Sequence, residues 1–437
     1  MAQSVDLILK GGTVVNQNGM AEADIAVSGG RISWIGDCSN IPAREVLECR
    51  HLHILPGVID SQVHFREPGA THKEDLETGS RAAVAGGVTA VFEMPNTKPT
   101  TTTPEALADK VARARHRMFC DFAFYVGGTH ENFSLVPHFE TLEGAAGIKV
   151  FAGSSTGDLL VEDESGLEAI IAKLTRRAAF HSEDEARLRE RVSFQRAGDP
   201  SSHHIWRDEE AAVISTARLI RLAQKHNKRI HVLHISTAEE LPLLAAARDV
   251  ATVEVTPHHL TLSADDYARL GTRLQMNPPV RDARHRDALW EAVTSGLVDV
   301  LGSDHAPHTL EEKAKPYPQS PSGMTGVQTL VPIMLNHVNE GRLSLARLVD
   351  LTSHGPQRIF NLRGKGRIAE GYDADFTIVD MKRHETITNP WIESRCGWTP
   401  YDGVKVQGWP VGTFVRGHRA MWQGEIAPKA FGEPVRF

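Results

Sequence analysis

Hydrophobic and polar positions follow two regimes along this chain. Near the start, Val5-Asp6-Leu7-Ile8-Leu9-Lys10 ends at Gly11-Gly12. Thr13-Val14-Val15, Ile25-Ala26-Val27 and Arg31-Ile32-Ser33-Trp34-Ile35 follow, each bounded by Gly, Asn or Asp. Short runs separated by turn residues predict strands of a small antiparallel sheet. The C-terminal stretch repeats the pattern: Gly364-Lys365-Gly366-Arg367-Ile368 leads to Ala374–Asp380, and Thr413-Phe414-Val415-Arg416-Gly417 comes later. The two ends, residues 1–55 and 363–437, are expected to form one small β-sandwich domain.

Between them, over residues 56–362, apolar runs alternate with longer stretches rich in Ala, Leu, Glu and Arg. The runs are Ile54–Ile59, Thr89–Phe92, Phe122–Val126, Gly147–Phe151, Ala178–Phe180, Arg229–Leu233, Ala251–Val255 and Val298–Leu301. Helical segments such as Pro104–Met118, Asp208–His226 and His285–Ser295 fall between them. Strand and helix in alternation predict a parallel sheet of the α/β class. Eight repeats in about 250 residues suit a (β/α)8 TIM-type barrel. A doubly wound sheet is the competitor, but no G-x-G-x-x-G follows any of these runs.

In such barrels the chemistry gathers at the C-terminal ends of the strands. There the sequence places Asp60-Ser61-Gln62-Val63-His64-Phe65-Arg66, Glu93-Met94-Pro95-Asn96-Thr97, and Lys149 inside the fourth run. His181-Ser182-Glu183-Asp184, His234-Ile235-Ser236-Thr237, Thr256-Pro257-His258-His259 and Gly302-Ser303-Asp304-His305-Ala306-Pro307-His308 follow. Imidazoles and carboxylates without thiolates suit Zn²⁺ or another borderline divalent metal. Each residue alone also has a plainer reading. A single histidine at a strand end can be structural, Asp304 can cap a helix, and His258 and His259 can simply pack. Lys149 can snorkel out or pair with an Asp or Glu, since an unpaired buried ammonium costs several kcal/mol. The charged stretch Glu183–Arg191 reads as a solvated helix face. The ordered set of strand ends carries the argument, because chance would have to supply each one separately.

Composition narrows the picture. The chain has 437 residues, 41% hydrophobic and 24% charged, which excludes disorder for most of it. A net charge of −7 without a basic run makes nucleic acid and anionic membranes poor partners. No apolar stretch of about 18 residues could span a bilayer, and Met1-Ala2-Gln3-Ser4-Val5-Asp6 lacks the features of a signal peptide. The scattered Cys38, Cys49, Cys120 and Cys396 form no CxxC and fit a reducing, cytoplasmic setting. Histidine is abundant, at 22, and it is the commonest metal ligand.

Three segments together resemble dihydroorotase, a cyclic amidohydrolase of the amidohydrolase superfamily. They are Gly57-Val58-Ile59-Asp60 with His64-Phe65-Arg66-Glu67-Pro68-Gly69, Glu93–Pro99, and Gly302–His308. The resemblance spans the whole chain. It implies a metal-bearing barrel that reversibly cyclises N-carbamoyl-L-aspartate to dihydroorotate in pyrimidine biosynthesis. Carried over by position, it implies that His64 binds a first metal and that His181 and His234 bind a second. Lys149 matches a lysine that some members carry N-carboxylated as a bridge. Asp304 matches a metal ligand that also shuttles the proton. Arg66, Asn96 and His308 match residues that hold the substrate carboxylate, and Asn277 one beside the substrate ring. The family's His-x-His reads Gln62-Val63-His64 here. An amide oxygen is a weaker ligand than imidazole, so one or two Zn²⁺ per chain are expected. The resemblance also implies a homodimer. Two alternatives stay open: a hydantoinase- or allantoinase-type enzyme, or a silent homologue that serves as a scaffold for aspartate carbamoyltransferase.

Overall fold

The structure is a computed structural model, and it describes residues 4–16, 19–154 and 159–437. Met1, Ala2 and Gln3, read above for a leader, lie outside them. The eight expected apolar runs become eight consecutive parallel strands: Val58–Val63, Val88–Glu93, Asp121–Gly127, Ala145–Phe151, Ala178–His181, Ile230–Val232, Ala251–Val255 and Val300–Leu301. They are hydrogen-bonded in chain order. Val63 pairs in parallel with His305, just past the eighth strand, and the sheet closes on itself. The result is the expected (β/α)8 barrel.

The barrel interior alternates small and large side chains. Ala90, Ala123, Ala146 and Ala179 leave room for Ile59, Phe92, Tyr125, Leu233 and Val300 in one buried cluster. Phe92 meets Tyr125 and Phe360 edge-on, with centroids 6.3 and 5.4 Å apart, a favoured aromatic geometry. The helix Glu209–His226 shows how local sequence sets the outer layer. Asp208 caps it by accepting from the Ala211 N–H, and Asn227 ends it in the left-handed region at φ +50°.

Both chain ends build one nine-stranded sheet, as expected. It is mainly antiparallel, although the strand Val5–Asn16 pairs in parallel with Ala43–Glu48 and His53–Pro56. The apolar run Ile54–Ile59 does not act as one strand. His53–Pro56 joins the small sheet and Val58–Val63 opens the barrel. The break falls at Gly57, where a Cβ would stand 2.3 Å from Thr89 Oγ1 and 2.7 Å from Asp375 Cβ. Only glycine allows the two domains so close an approach. Buried Lys365 ties the domains together, with Nζ 2.5 Å from Asp121 of the barrel and 2.7 Å from Asp375 of the small sheet.

Candidate functional site

The strand ends converge as two linked clusters. In the first, the Gln62 amide donates to Asp304 Oδ1 at 3.1 Å, and His64 Nε2 lies 3.2 Å from the same oxygen. His64 Nδ1 is 2.8 Å from Asn96 Oδ1 and so donates to it. Burial, opposed by Asp304, keeps the His64 pKa below its ordinary value. A neutral ring that donates from Nδ1 leaves Nε2 as an acceptor, facing a carboxylate oxygen. A shared proton or a cation reconciles these two acceptors.

In the second cluster His181 Nδ1 and His234 Nε2 lie 3.1 Å apart. The ring nitrogens of two ligands on one tetrahedral zinc, each at about 2.0–2.1 Å, would be separated by about 3.3 Å. His181 is oriented from behind, since its Nε2 lies 2.9 Å from Glu183 Oε2. Arg207 in turn grips both oxygens of Glu183. A ligand histidine that gives its far N–H to a carboxylate turns its other nitrogen towards a metal. Burial, together with neighbouring cationic groups, drives His234 well below its usual pKa, so both rings are neutral donors.

Lys149 links the two clusters. It is in electrostatic reach of Asp304 on one side and of His181 and His234 on the other. Among the described residues its ammonium makes no hydrogen bond or ion pair. It rests over the Phe151 ring at 4.5 Å. Burial pushes its pKa down to about 7, which makes the neutral amine accessible near physiological pH.

Both clusters fit a cation, and the second fits best. At the first, Gln62 turns its N–H rather than its oxygen to Asp304, and Gln62 Oε1 is buried without a partner among the described residues. No three His, Cys, Asp or Glu side chains stand ready as a ligand group among the described residues. The expected sets draw on a lysine and an amide as well.

A third group lies beside the first cluster. Arg66 is 5% exposed, and no carboxylate pairs with it among the described residues. Its Nε donates to Pro307 O at 3.2 Å, and its Nη2 lies 3.3 Å from His308 Nε2. Asn277 is held by His203, Nε2 to Oδ1 at 2.9 Å, and no hydrogen bond among the described residues ties it to the other expected residues.

Backbone strain marks the same places. Of nine non-glycine residues with left-handed φ among those described, three are Arg66 at +63°, His234 at +37° and Asp304 at +46°. Such strain persists where surrounding structure holds it, and it gathers at functional sites.

Sequence reasoning missed several members. Glu183 is not on a solvated face: it is fully buried between His181 and Arg207. Its charged neighbours gave it the pattern of a surface helix, yet the helix begins only at Glu185. Arg207 and His203 carried no local signal, because each meets its partners through the fold. His259, left open by sequence, is fully engaged with Thr256, Pro278 and Pro279.

Comparisons with known proteins identify the family and the fold. Residues 53–420 match the amidohydrolase family. A dihydroorotase of Halobacterium salinarum is 38% identical over 390 residues, covering 88% of this chain and 89% of that one. A dihydroorotase of Methanosarcina mazei is 34% identical over 436 residues, covering 96% and 95%. Among solved structures, an L-hydantoinase (dihydropyrimidinase) from Arthrobacter aurescens superposes with a TM-score of 0.94 at 30% identity, over 99% of each chain.

Proposed function

The chain belongs to the amidohydrolase family, and from that premise we propose that it is a metal-dependent dihydroorotase. It would interconvert N-carbamoyl-L-aspartate and dihydroorotate, a step of pyrimidine biosynthesis. The observation that carries this reading is Arg66. A buried guanidinium with no carboxylate partner among the described residues is costly unless a ligand supplies the counter-charge. A substrate carboxylate does so, with the bidentate geometry that a guanidinium favours.

Lys149, His181 and His234 would hold one divalent metal, Zn²⁺ by their donor chemistry, with His64 and Asp304 alongside. When bound, such a metal supplies Lewis-acid polarisation of the ring carbonyl and a hydrolytic nucleophile at neutral pH. A lysine whose amine is free near neutral pH can take up CO₂ and become an anionic oxygen ligand, which also removes its buried positive charge. Asp304, one oxygen of which accepts from the Gln62 amide, would take a proton from the attacking water. It returns that proton to the ring nitrogen as the C–N bond breaks. In the synthetic direction the ureido nitrogen attacks the carboxyl carbon, Asp304 carries the nitrogen's proton to the departing carboxyl oxygen, and the C–O bond breaks to release water. Arg66, Asn96 and His308 orient the ring through its carboxylate, and Asn277 borders it.

A second reading, a hydantoin-type cyclic amidase, is favoured by the TM-score of 0.94 to an L-hydantoinase. Its substrate lacks the carboxylate that Arg66 awaits. A panel of dihydroorotate, hydantoin, dihydrouracil and allantoin separates the two. The dihydroorotase reading requires kcat/KM for dihydroorotate to exceed the others by about 100-fold, the worth of a buried charge-assisted contact of about 3 kcal/mol. Equal or better turnover of the uncarboxylated rings would sink it.

A further inference from the structure

Lys73 is two turns beyond Arg66. The Ala70 N–H donates to Arg66 O, and the Lys73 N–H donates to Ala70 O. Its ammonium reaches back to two groups: His308 Nδ1 at 3.0 Å and Glu312 Oε1 at 2.9 Å. An ammonium has three donors and no acceptor, so His308 Nδ1 must be the acceptor. Burial, with the charges of Arg66, Lys73 and Lys313 nearby, holds His308 neutral, its pKa pushed down to about 3. The ring's one proton is therefore on Nε2, and it is donated to Ser322 O at 3.0 Å. This settles the nature of the Arg66 contact. His308 Nε2–H and Arg66 Nη2–H stand 3.3 Å apart as two donors, with no hydrogen bond between them. Because the His308 proton goes to Ser322 O, His308 offers Arg66 no acceptor, and Arg66 Nη2–H remains a buried donor for an anionic oxygen.

We propose that Lys73 is a positioning and specificity residue: it holds His308 in the Nε2–H tautomer, which cannot accept from Arg66, and thereby keeps the Arg66 guanidinium free for a substrate carboxylate. The proposal rests on the reading in which Arg66 binds the carboxylate of a cyclic amide. Without Lys73, the ring can move its proton to Nδ1, where Glu312 Oε2 waits 3.6 Å away. Nε2 then becomes an acceptor for Arg66, and the two groups satisfy each other instead of the substrate. Lys73 would thus act on carboxylated substrates only, without touching the reacting atoms.

The test uses full-length protein, metal-loaded, with ¹⁵N-labelled histidine. Long-range ¹H–¹⁵N spectra report the tautomer of each ring, and a His308→Asn sample identifies the His308 signals. Wild type is expected to show Nε2–H at His308, and Lys73→Met to show Nδ1–H or a mixture. In the same variant KM for dihydroorotate should rise about tenfold, the effect of one lost charge-assisted hydrogen bond, with kcat kept. KM for dihydrouracil should stay within about twofold, which also shows an intact fold. Lys73→Arg, which restores a donor, should recover the wild-type tautomer. An Nδ1–H ring in wild type, or an unchanged tautomer and KM in Lys73→Met, overturns the proposal. Preference of the wild type for uncarboxylated rings would instead overturn the dihydroorotase reading, while the tautomer spectra still decide the part played by Lys73.

Discussion

Arg207→Met removes the charge that neutralises Glu183 and leaves its shape largely filled. Both groups are out of water: Arg207 is 2% exposed and Glu183 0%. Two hydrogen bonds join them, and Arg207 also donates to Ser154 O. Removing one partner of a buried ion pair strands the other charge and costs about 3–5 kcal/mol. That is a large share of a typical stability of about 5–15 kcal/mol. Burial raises the Glu183 pKa, but Arg207 and the hydrogen bonds from His181 and Arg207 outweigh it and hold the carboxyl well below its usual range. A depressed carboxyl stabilises the fold above its unfolded value of about 4.3 and loses this as pH falls through the folded value. In the variant only His181 still opposes burial, and the pKa rises. The cost is then present at neutral pH and fades as the carboxyl takes a proton. The stability gap is therefore expected to be widest near pH 7 and to narrow towards about pH 4. A protonated Glu183 would also cease to be the clear acceptor of His181 Nε2–H, and metal affinity should fall about 10–100-fold. Urea unfolding at the two pH values and zinc competition with a chelator measure both effects. A gap under about 1 kcal/mol at pH 7, or one equal at both pH values, would refute the reasoning. So would a Glu183→Gln/Arg207→Met double variant no more stable than Arg207→Met, because an uncharged pair leaves nothing stranded.

Three further outcomes are expected. Asp304→Asn should abolish turnover, while metal analysis still finds metal held by His181 and His234; normal turnover would remove Asp304 from proton transfer. Gln62→His should raise bound metal from about one to about two per chain, since imidazole replaces an amide that now faces Asp304 through its N–H; a wild-type content of two would show that the amide is no obstacle. Acid should destabilise the protein from about pH 6.5 downward. Burial holds His181, His203, His234 and His308 below the usual histidine pKa, so the unfolded chain binds protons first. Each such ring weakens the fold by up to about 1.4 kcal/mol per pH unit below 6.5. Equal urea midpoints at pH 7.5 and 5.5 would contradict this.

Much of the site was legible because barrel chemistry follows strand order. Reading what comes after each apolar run found Gln62, His64, Lys149, His181, His234 and Asp304, and the fold brings them into two adjoining clusters. Asn277 was reached by resemblance alone, and the structure ties it to His203. The misreadings have one cause. Glu183 sits in a run of charges that looks solvated, and its neutralising Arg207 is 24 residues away in sequence. Lys73 and His308 are 235 residues apart, and neither flank announces the other. The division at Gly57 inside an apolar run was equally hidden, because its reason is the approach of Thr89 and Asp375.

What the sequence determined by itself was periodicity and chemistry. Alternating apolar runs dictated strands and helices, and the polar residues after them dictated which donors the barrel mouth would offer. Protonation and pairing were decided only in three dimensions. Whether a carboxylate is solvated, which nitrogen of an imidazole carries the proton, and whether a guanidinium lacks a counter-charge all depend on distances of about 3 Å. Those distances join residues from remote stretches of chain, and local sequence does not encode them.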